Sequence, residues 1–192
     1  MNLKHEMRVL GVDDSPLVAQ SVLVVGALFR GAEWLDGVMR TYITKDGMDA
    51  TEKIAEMVCS SKHHTQIRAM LLDGITYGGF NVVDIHALHE LTSVPAIAVM
   101  RNFPDLESMH EAVQHVSESE FRYSLLLKAG GFMEVITKDE GRPLYIQTAG
   151  IEPADGAQIV RRTALHANIP EPLRAAHMIS SAIVLGESSG KA

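Results

Sequence analysis

Two apolar runs in the chain end in a carboxylate. "RVLGVDDSPL" carries Arg8 to Val12 into Asp13 and Asp14, and "AMLLDGITYGGF" carries Met70 to Leu72 into Asp73. If the two runs are neighbouring parallel strands, Asp13 and Asp73 project from adjacent carboxyl ends and lie close together. Two such carboxylates repel unless a proton or a cation sits between them. Mg²⁺ and Mn²⁺ prefer oxygen ligands, and Mg²⁺ often binds through one or two carboxylates plus substrate phosphates. The chemistry this points to is metal-assisted phosphodiester hydrolysis, in which the ion activates water and stabilises developing charge. Asp13 and Asp73 are the candidate metal ligands and catalytic residues.

Other residues compete for supporting roles. Asp46 and Asp49 in "TKDGMDAT" precede the first helix, where a side chain can reach back over the strand ends. Asp49 is the preferred third carboxylate, against a helix-capping or turn role for both. Asp14 can assist, but Asp-Asp-Ser-Pro is also good turn chemistry, and adjacent residues on an extended chain point to opposite sides. Gly74, with Gly78 and Gly79, surrounds a strand-to-helix loop whose amides could approach a phosphate. That loop matches neither the dinucleotide fingerprint nor the P-loop. Arg101, after "PAIAVM", could neutralise a phosphate or sit solvated at a strand end.

The remaining chemistry-bearing residues read as structural. His86 and His89 share a helix face without a carboxylate motif beside them, a spacing more often coincidental than metal-binding. His177 lies near the apolar face of the last helix, which suits a partly buried structural role. Cys59 has no cysteine partner and no base beside it in sequence.

The elements that must position these groups follow from hydrophobic period. Arg8 to Val12, Ser21 to Arg30 and Trp34 to Thr44 read as a three-stranded antiparallel meander with short connectors. After "KDGMD" the period becomes helical, with Ile54, Met57 and Val58 on one face. Strands at Arg68 to Gly74 and Pro95 to Met100 alternate with helices in "NVVDIHALHELT" and "DLESMHEAVQHV". "SESEFRYSLLLKAG" predicts a helix stopped by Gly130 and Gly131, "FMEVIT" and "PLYIQT" predict strands, and helices around Pro153 to Ala167 and after "IPEP" close the chain. The expected fold is α/β: a mixed sheet, the antiparallel meander plus parallel strands, with helices on both faces and the first strand, Arg8 to Val12, central. Ligands in such sheets collect at the carboxyl ends of parallel strands.

The 192 residues suit a single domain over 1–192, with a loose tail from about 186 to 192. No apolar run is long enough to span a bilayer, and "MNLKHEMR" lacks the apolar segment of a secretory signal, so the expected location is cytoplasmic, without a membrane partner. With 17 basic and 24 acidic residues the net charge is −7, which argues against coating nucleic acid by charge alone but leaves room for a local groove.

"VLGVDDSP", "LLDGITYGGFNVVDIHAL", "VPAIAVMRN", and "PLYIQTAG" followed by "IPEPLRAAHMIS" together resemble endonuclease V. More closely they resemble its relative, the family called domain of unknown function 99. The resemblance covers nearly the whole chain in order, and "IPEPLRAAH" is its most distinctive piece. It implies a ribonuclease H-like fold and a metal-dependent nuclease site for Mg²⁺ or Mn²⁺, with nucleic acid as partner. Endonuclease V-like enzymes cut a strand near deaminated purines such as inosine. Asp13 matches the Asp ending their first strand and Asp73 the Asp of their "DG" motif. Asp49 falls approximately where their helix-borne Glu lies, and Arg101 replaces their Lys after the next strand. Their "PYIP"-type wedge has no counterpart in "TYITKDGMD", the His and Arg of their "DGxGxxHPR" segment are absent from "DGITYGGFN", and their "SPGH" His falls at Ile151.

The leading expectation is a divalent-metal-dependent phosphodiester hydrolase acting on nucleic acid. The alternatives are a non-catalytic nucleic-acid or protein binding module that kept the fold, and a hydrolase of small phosphate esters or nucleotides.

Overall fold

A computed structural model of the chain describes residues 6–189. In chain order its elements are β1 (Arg8–Asp14), β2 (Ser21–Arg30), β3 (Trp34–Thr44), α1 (Ala50–Cys59), β4 (Ile67–Asp73), β5 (Thr76–Tyr77), β6 (Asn81–Val82) and α2 (Ile85–Thr92). They continue with β7 (Ala96–Met100), α3 (Leu106–Val113), α4 (Ser119–Lys128), β8 (Met133–Val135), β9 (Leu144–Ala149), α5 (Pro153–Thr163) and α6 (Glu171–Leu185).

Among the described residues the main sheet has seven strands in the order β3-β2-β1-β4-β7-β9-β8. The meander β1–β3 is antiparallel, β1 runs parallel to β4, and β4 runs parallel to β7. The central strand β1 is therefore where the meander meets the parallel strands. The far edge differs from a simple succession of parallel strands: β9 is antiparallel to both β7 and β8. The segment between β8 and β9 turns the chain back on itself, so the last two strands join the sheet as a hairpin.

Helices cover both faces, and this explains why the central strands are continuously apolar rather than alternating. Leu10 and Val12 of β1 and Met70 and Leu72 of β4 pack into one core with Ile54 and Val58 of α1 and Leu88 of α2. Val9, Ala69 and Leu71, one step out of phase, pack on the other face with Ile159 and Val160 of α5 and Leu173 of α6. Leu23, Val25 and Ala27 of β2 meet Ala176 of α6 on that same side.

Helix limits follow local hydrogen bonding. The Asp84 carboxylate accepts from the amides of His86 and Ala87, so α2 starts at Ile85 after the short β5–β6 hairpin. α5 stops at Thr163, short of the expected Ala167, and the loop beyond it is held by a 2.7 Å bond from the His166 amide to the Glu171 carboxylate. Gly186, in the left-handed region at φ 88°, ends α6. Of the expected loose tail, residues 190–192 lie outside the described residues. Among the described residues no helix is long and apolar enough to cross a membrane.

Candidate active site

Val12 of β1 sits opposite Leu72 of β4, so the next residues, Asp13 and Asp73, leave the sheet at the same level. Strand alternation directs both carboxylates toward the α6 face. Asp14 points the other way, and its carboxylate accepts a 2.7 Å hydrogen bond from the Gly78 amide in the β5–β6 turn. The two strand ends are tied together by Tyr77. Its fully buried hydroxyl donates to the Val12 carbonyl at 2.8 Å and accepts from the Asp73 amide at 3.1 Å.

A third group arrives from far along the chain. Gly11, mid-strand in β1, lies directly beneath the first turn of α6: a Cβ there would stand 2.2 Å from the Pro172 carbonyl carbon. Only glycine permits this approach. From Pro172 to His177 the helix advances about 7.5 Å along its axis, and from Gly11 to Asp13 the strand advances about 6.6 Å. The imidazole therefore comes level with the carboxylate, and His177 Nδ1 lies 2.9 Å from Asp13 Oδ2. Ser180 continues the contact, its hydroxyl donating to the Asp14 carbonyl at 3.1 Å. Among the described residues Asp13, Asp73 and His177 form a group whose ligand atoms all lie within 4.8 Å of one another.

The electrostatics of this centre are unfavourable to its own charge. Burial and the Asp13 charge push the Asp73 carboxyl above its ordinary value, while Arg101 and His177 pull it down. Burial raises Asp14 to about 6, the Gly78 hydrogen bond opposes it, and the Asp13 charge raises it further. His177 is raised in turn, first by its hydrogen bond to Asp13. Arg101 forms a fork on Asp73, with Nη1 to Oδ1 at 3.0 Å and Nη2 to Oδ2 at 3.1 Å. Asp13 Oδ1 accepts from the Asp14 amide and Oδ2 faces His177, one partner per oxygen. A carboxylate offers about four lone-pair sites, so Asp13 and Asp73 both keep acceptor capacity. All-oxygen donors, crowded negative charge and an adjacent imidazole fit a divalent cation.

The structure does not bring every expected residue to this centre. Asp49 is engaged elsewhere: its carboxylate accepts from the Thr44 amide and hydroxyl and, at 2.6 Å, from Asn81 Nδ2. Nor does its side chain cap α1, whose first amide, Ala50, donates to Asn81 Oδ1. Gly74 is glycine because its φ is 77°, and its amide donates to the Val99 carbonyl at 2.9 Å rather than facing a phosphate. Arg101 reaches the site, but onto Asp73. His89 Nδ1 lies 3.0 Å from the Val94 carbonyl, and Ile151, where the resemblance looks for a histidine, packs against the α5-side core. The imidazole at the centre is His177, for which the sequence suggests only a partly buried structural role. Gly11 and the "IPEPLRAAH" segment were the signals of its approach.

Above the carboxylates is an open cleft of about 480 Å³, walled by Asp13, Asp14, Asp73, Thr76, Arg101 and Phe103. The mixed sheet with helices on both faces is a ribonuclease H-like, nuclease-like fold. A structure of endonuclease V from Ciona intestinalis, bound to DNA containing an inosine followed by a ribo-adenosine, superposes with a TM-score of 0.58 at 16% identity, covering 88% of this chain and 82% of that one. The family model described as Endonuclease dU matches residues 5–184, and the chain belongs to that family. A UPF0215 protein from Methanosarcina acetivorans is 50% identical over 191 residues, spanning 100% of this chain and 97% of the relative. A crystal structure of a protein of unknown function from Archaeoglobus fulgidus superposes with a TM-score of 0.83 at 37% identity, covering 92% of this chain and 97% of that one.

Proposed function

We propose that the chain is a divalent-metal-dependent nuclease that hydrolyses phosphodiester bonds in nucleic acid carrying deaminated bases. The observation that carries this reading is the convergence of Asp13, Asp73 and His177 within 4.8 Å at adjacent strand ends. The family description, Endonuclease dU, supports a strand containing deoxyuridine as substrate. The inosine-containing DNA held by the Ciona protein supports the wider class of deaminated bases.

Asp13 and Asp73 would hold Mg²⁺ or Mn²⁺, which when bound supplies water activation and stabilisation of developing phosphate charge. His177 holds Asp13 in orientation through its 2.9 Å contact. Tyr77 fixes the separation of the two strand ends. Arg101, forked on Asp73 at the wall of the cleft, would be the guanidinium nearest a phosphate bound there, and its planar fork suits a phosphate. One observation favours a second reading: the Arg101 fork already neutralises Asp73, which is what a binding module that has lost metal chemistry would retain.

Incubating the native protein and Asp13→Asn with single- and double-stranded oligonucleotides tests the proposal. Substrates carry deoxyuridine, inosine or ordinary bases, and each is assayed with Mn²⁺ and with a chelator. Metal-dependent cutting by the native chain alone supports the nuclease. No cutting of any strand under any condition leaves the binding module.

A further inference from the structure

We infer that a second cleft, beyond Arg101–Phe103 from the acidic centre, seats an unpaired nucleobase of the strand whose phosphate lies at Asp13 and Asp73. The inference rests on the nuclease reading and goes further, naming how the strand is gripped and where. The cleft has a volume of about 720 Å³, within the range of small-ligand sites. Arg101, Asn102 and Phe103 line both it and the acidic cleft, so the two adjoin across these residues.

The acidic cleft has Asp13, Asp14, Asp73 and Asp105 in its wall beside the shared Arg101. The second has Arg101 and Arg142 and no carboxylate among its lining residues, so a strand leaving the acidic centre meets less negative charge there.

Phe103 is the base platform. It sits just beyond β7, 63% exposed. It is not loose. Its ring meets Phe132 at 5.4 Å and Tyr145 at 5.3 Å, both in edge-to-face arrangements. An aromatic ring held by two others, with most of its surface open beside a phosphate-handling centre, is what stacking of an unpaired base requires.

The opposite wall is equally fixed. Asn168 accepts from the Lys138 and Asp139 amides and from the Thr137 hydroxyl, and donates to the Arg142 carbonyl at 2.7 Å. Arg142 rims the cleft with its side chain 81% exposed, paired to Asp139 through Nε and keeping its other donors for a neighbouring phosphate. A net charge of −7 argues for a strand held by stacking and a few arginines rather than by a basic coat. The acidic centre on the other side of Arg101–Phe103 places the base on a strand that also reaches that centre, rather than on a free nucleotide.

The test is fluorescence anisotropy with a labelled single-stranded DNA of about 12 nucleotides, in Ca²⁺ buffer. Native protein is compared with Phe103→Ala, Phe103→Tyr and Arg142→Ala, and cutting is followed separately in Mn²⁺. Phe103→Ala is expected to bind about 5- to 100-fold more weakly. Phe103→Tyr keeps the aromatic face and should bind within about 2-fold of native. A strand of abasic residues should bind native protein no better than the normal strand binds Phe103→Ala, and uridine monophosphate should fail to displace the strand. Thermal melting checks that each variant is folded at the assay temperature, Phe103→Ala losing only its ring contacts to Phe132 and Tyr145. Phe103→Ala binding or cutting as native does, equal affinity for the abasic strand, or full displacement by the mononucleotide overturns the inference while leaving the nuclease reading intact. Native protein that neither binds nor cuts any strand overturns both.

Discussion

At the ends of β1 and β4, Asp13 and Asp73 face one another with Asp14 just behind, and in the loop between β3 and α1 Asp46 and Asp49 make a second acidic group. Both groups precede or follow apolar elements, and both looked able to supply ligands. Their surroundings differ in kind. Asp49 has Thr44 and Asn81 donating to it; burial alone would raise its carboxyl, but these bonds outweigh burial and hold it below the ordinary value. Asp46 accepts from the Phe80 amide at 2.9 Å, and its backbone carbonyl joins those of Gly47, Phe80 and Ser117 around the buried Arg122 guanidinium. In the second group negative charge is answered by donors that hold loops together. In the first, burial and like charge leave carboxyls raised, the state in which a cation would add most. The difference separates a site from a scaffold more surely than residue type does.

The sharpest way to break the comparison is to neutralise each group in turn. Asp13→Asn or Asp73→Asn should lower metal-dependent cutting by about 100-fold or more, whereas Asp49→Asn should leave cutting per folded molecule close to native. Rates measured on all three variants decide it, and equal losses would erase the distinction.

Stability should show the reverse order. Arg122→Met strips the donors from the carbonyls of Asp46, Gly47, Phe80 and Ser117 and should cost roughly 3 kcal/mol or more. Urea unfolding measures this, and an unchanged midpoint would show that the second group is not a scaffold.

Acid should separate the groups by sign. Asp14 binds its proton more tightly folded than unfolded, with a pKa of about 6 against an ordinary 3.8. Metal-free protein should therefore gain stability as pH falls from about 6 toward 4, by up to roughly 3 kcal/mol. It should lose that stability as pH rises back through 6. His177, also raised, acts in the same direction: its contribution is fully present below its ordinary value and is lost as pH climbs through the raised one. Asp49 acts oppositely, stabilising above the ordinary carboxylate value and losing that contribution only as pH falls through its lowered one. Denaturant midpoints across this range in a chelator, with Asp14→Asn flattening the segment above about 4, are the expected pattern. A monotonic loss of stability from pH 7 downward would contradict it.

The smallest effect concerns the tie between the strands. Tyr77→Phe removes the bonds to Val12 and Asp73 and should cost about 1–2 kcal/mol, with a measurable weakening of metal affinity. Full retention of both would mean the strand ends hold their spacing without it.

Much of this was legible in the chain. The sheet order up to β7 follows from period and connector length, and Asp13 and Asp73 follow from two strands with the same ending. His177 was not legible because its partner lies 164 residues away and its helix reads as amphipathic. What places it is a close backbone approach, hinted at only by Gly11 in a strand interior. Asp49 misled because a carboxylate before a helix looks the same in sequence whether it faces a metal or an Asn81 amide donated from 32 residues on. The β8–β9 hairpin was missed as a reversal because two short apolar runs do not state their direction.

Calorimetric titration of Mn²⁺ into native protein, Asp13→Asn, Asp73→Asn and Asp49→Asn tests the central claim most directly. The account predicts binding by native and Asp49→Asn, and none by Asp13→Asn or Asp73→Asn. Native protein that binds no metal, or binding lost in Asp49→Asn and kept in the other two, would contradict it.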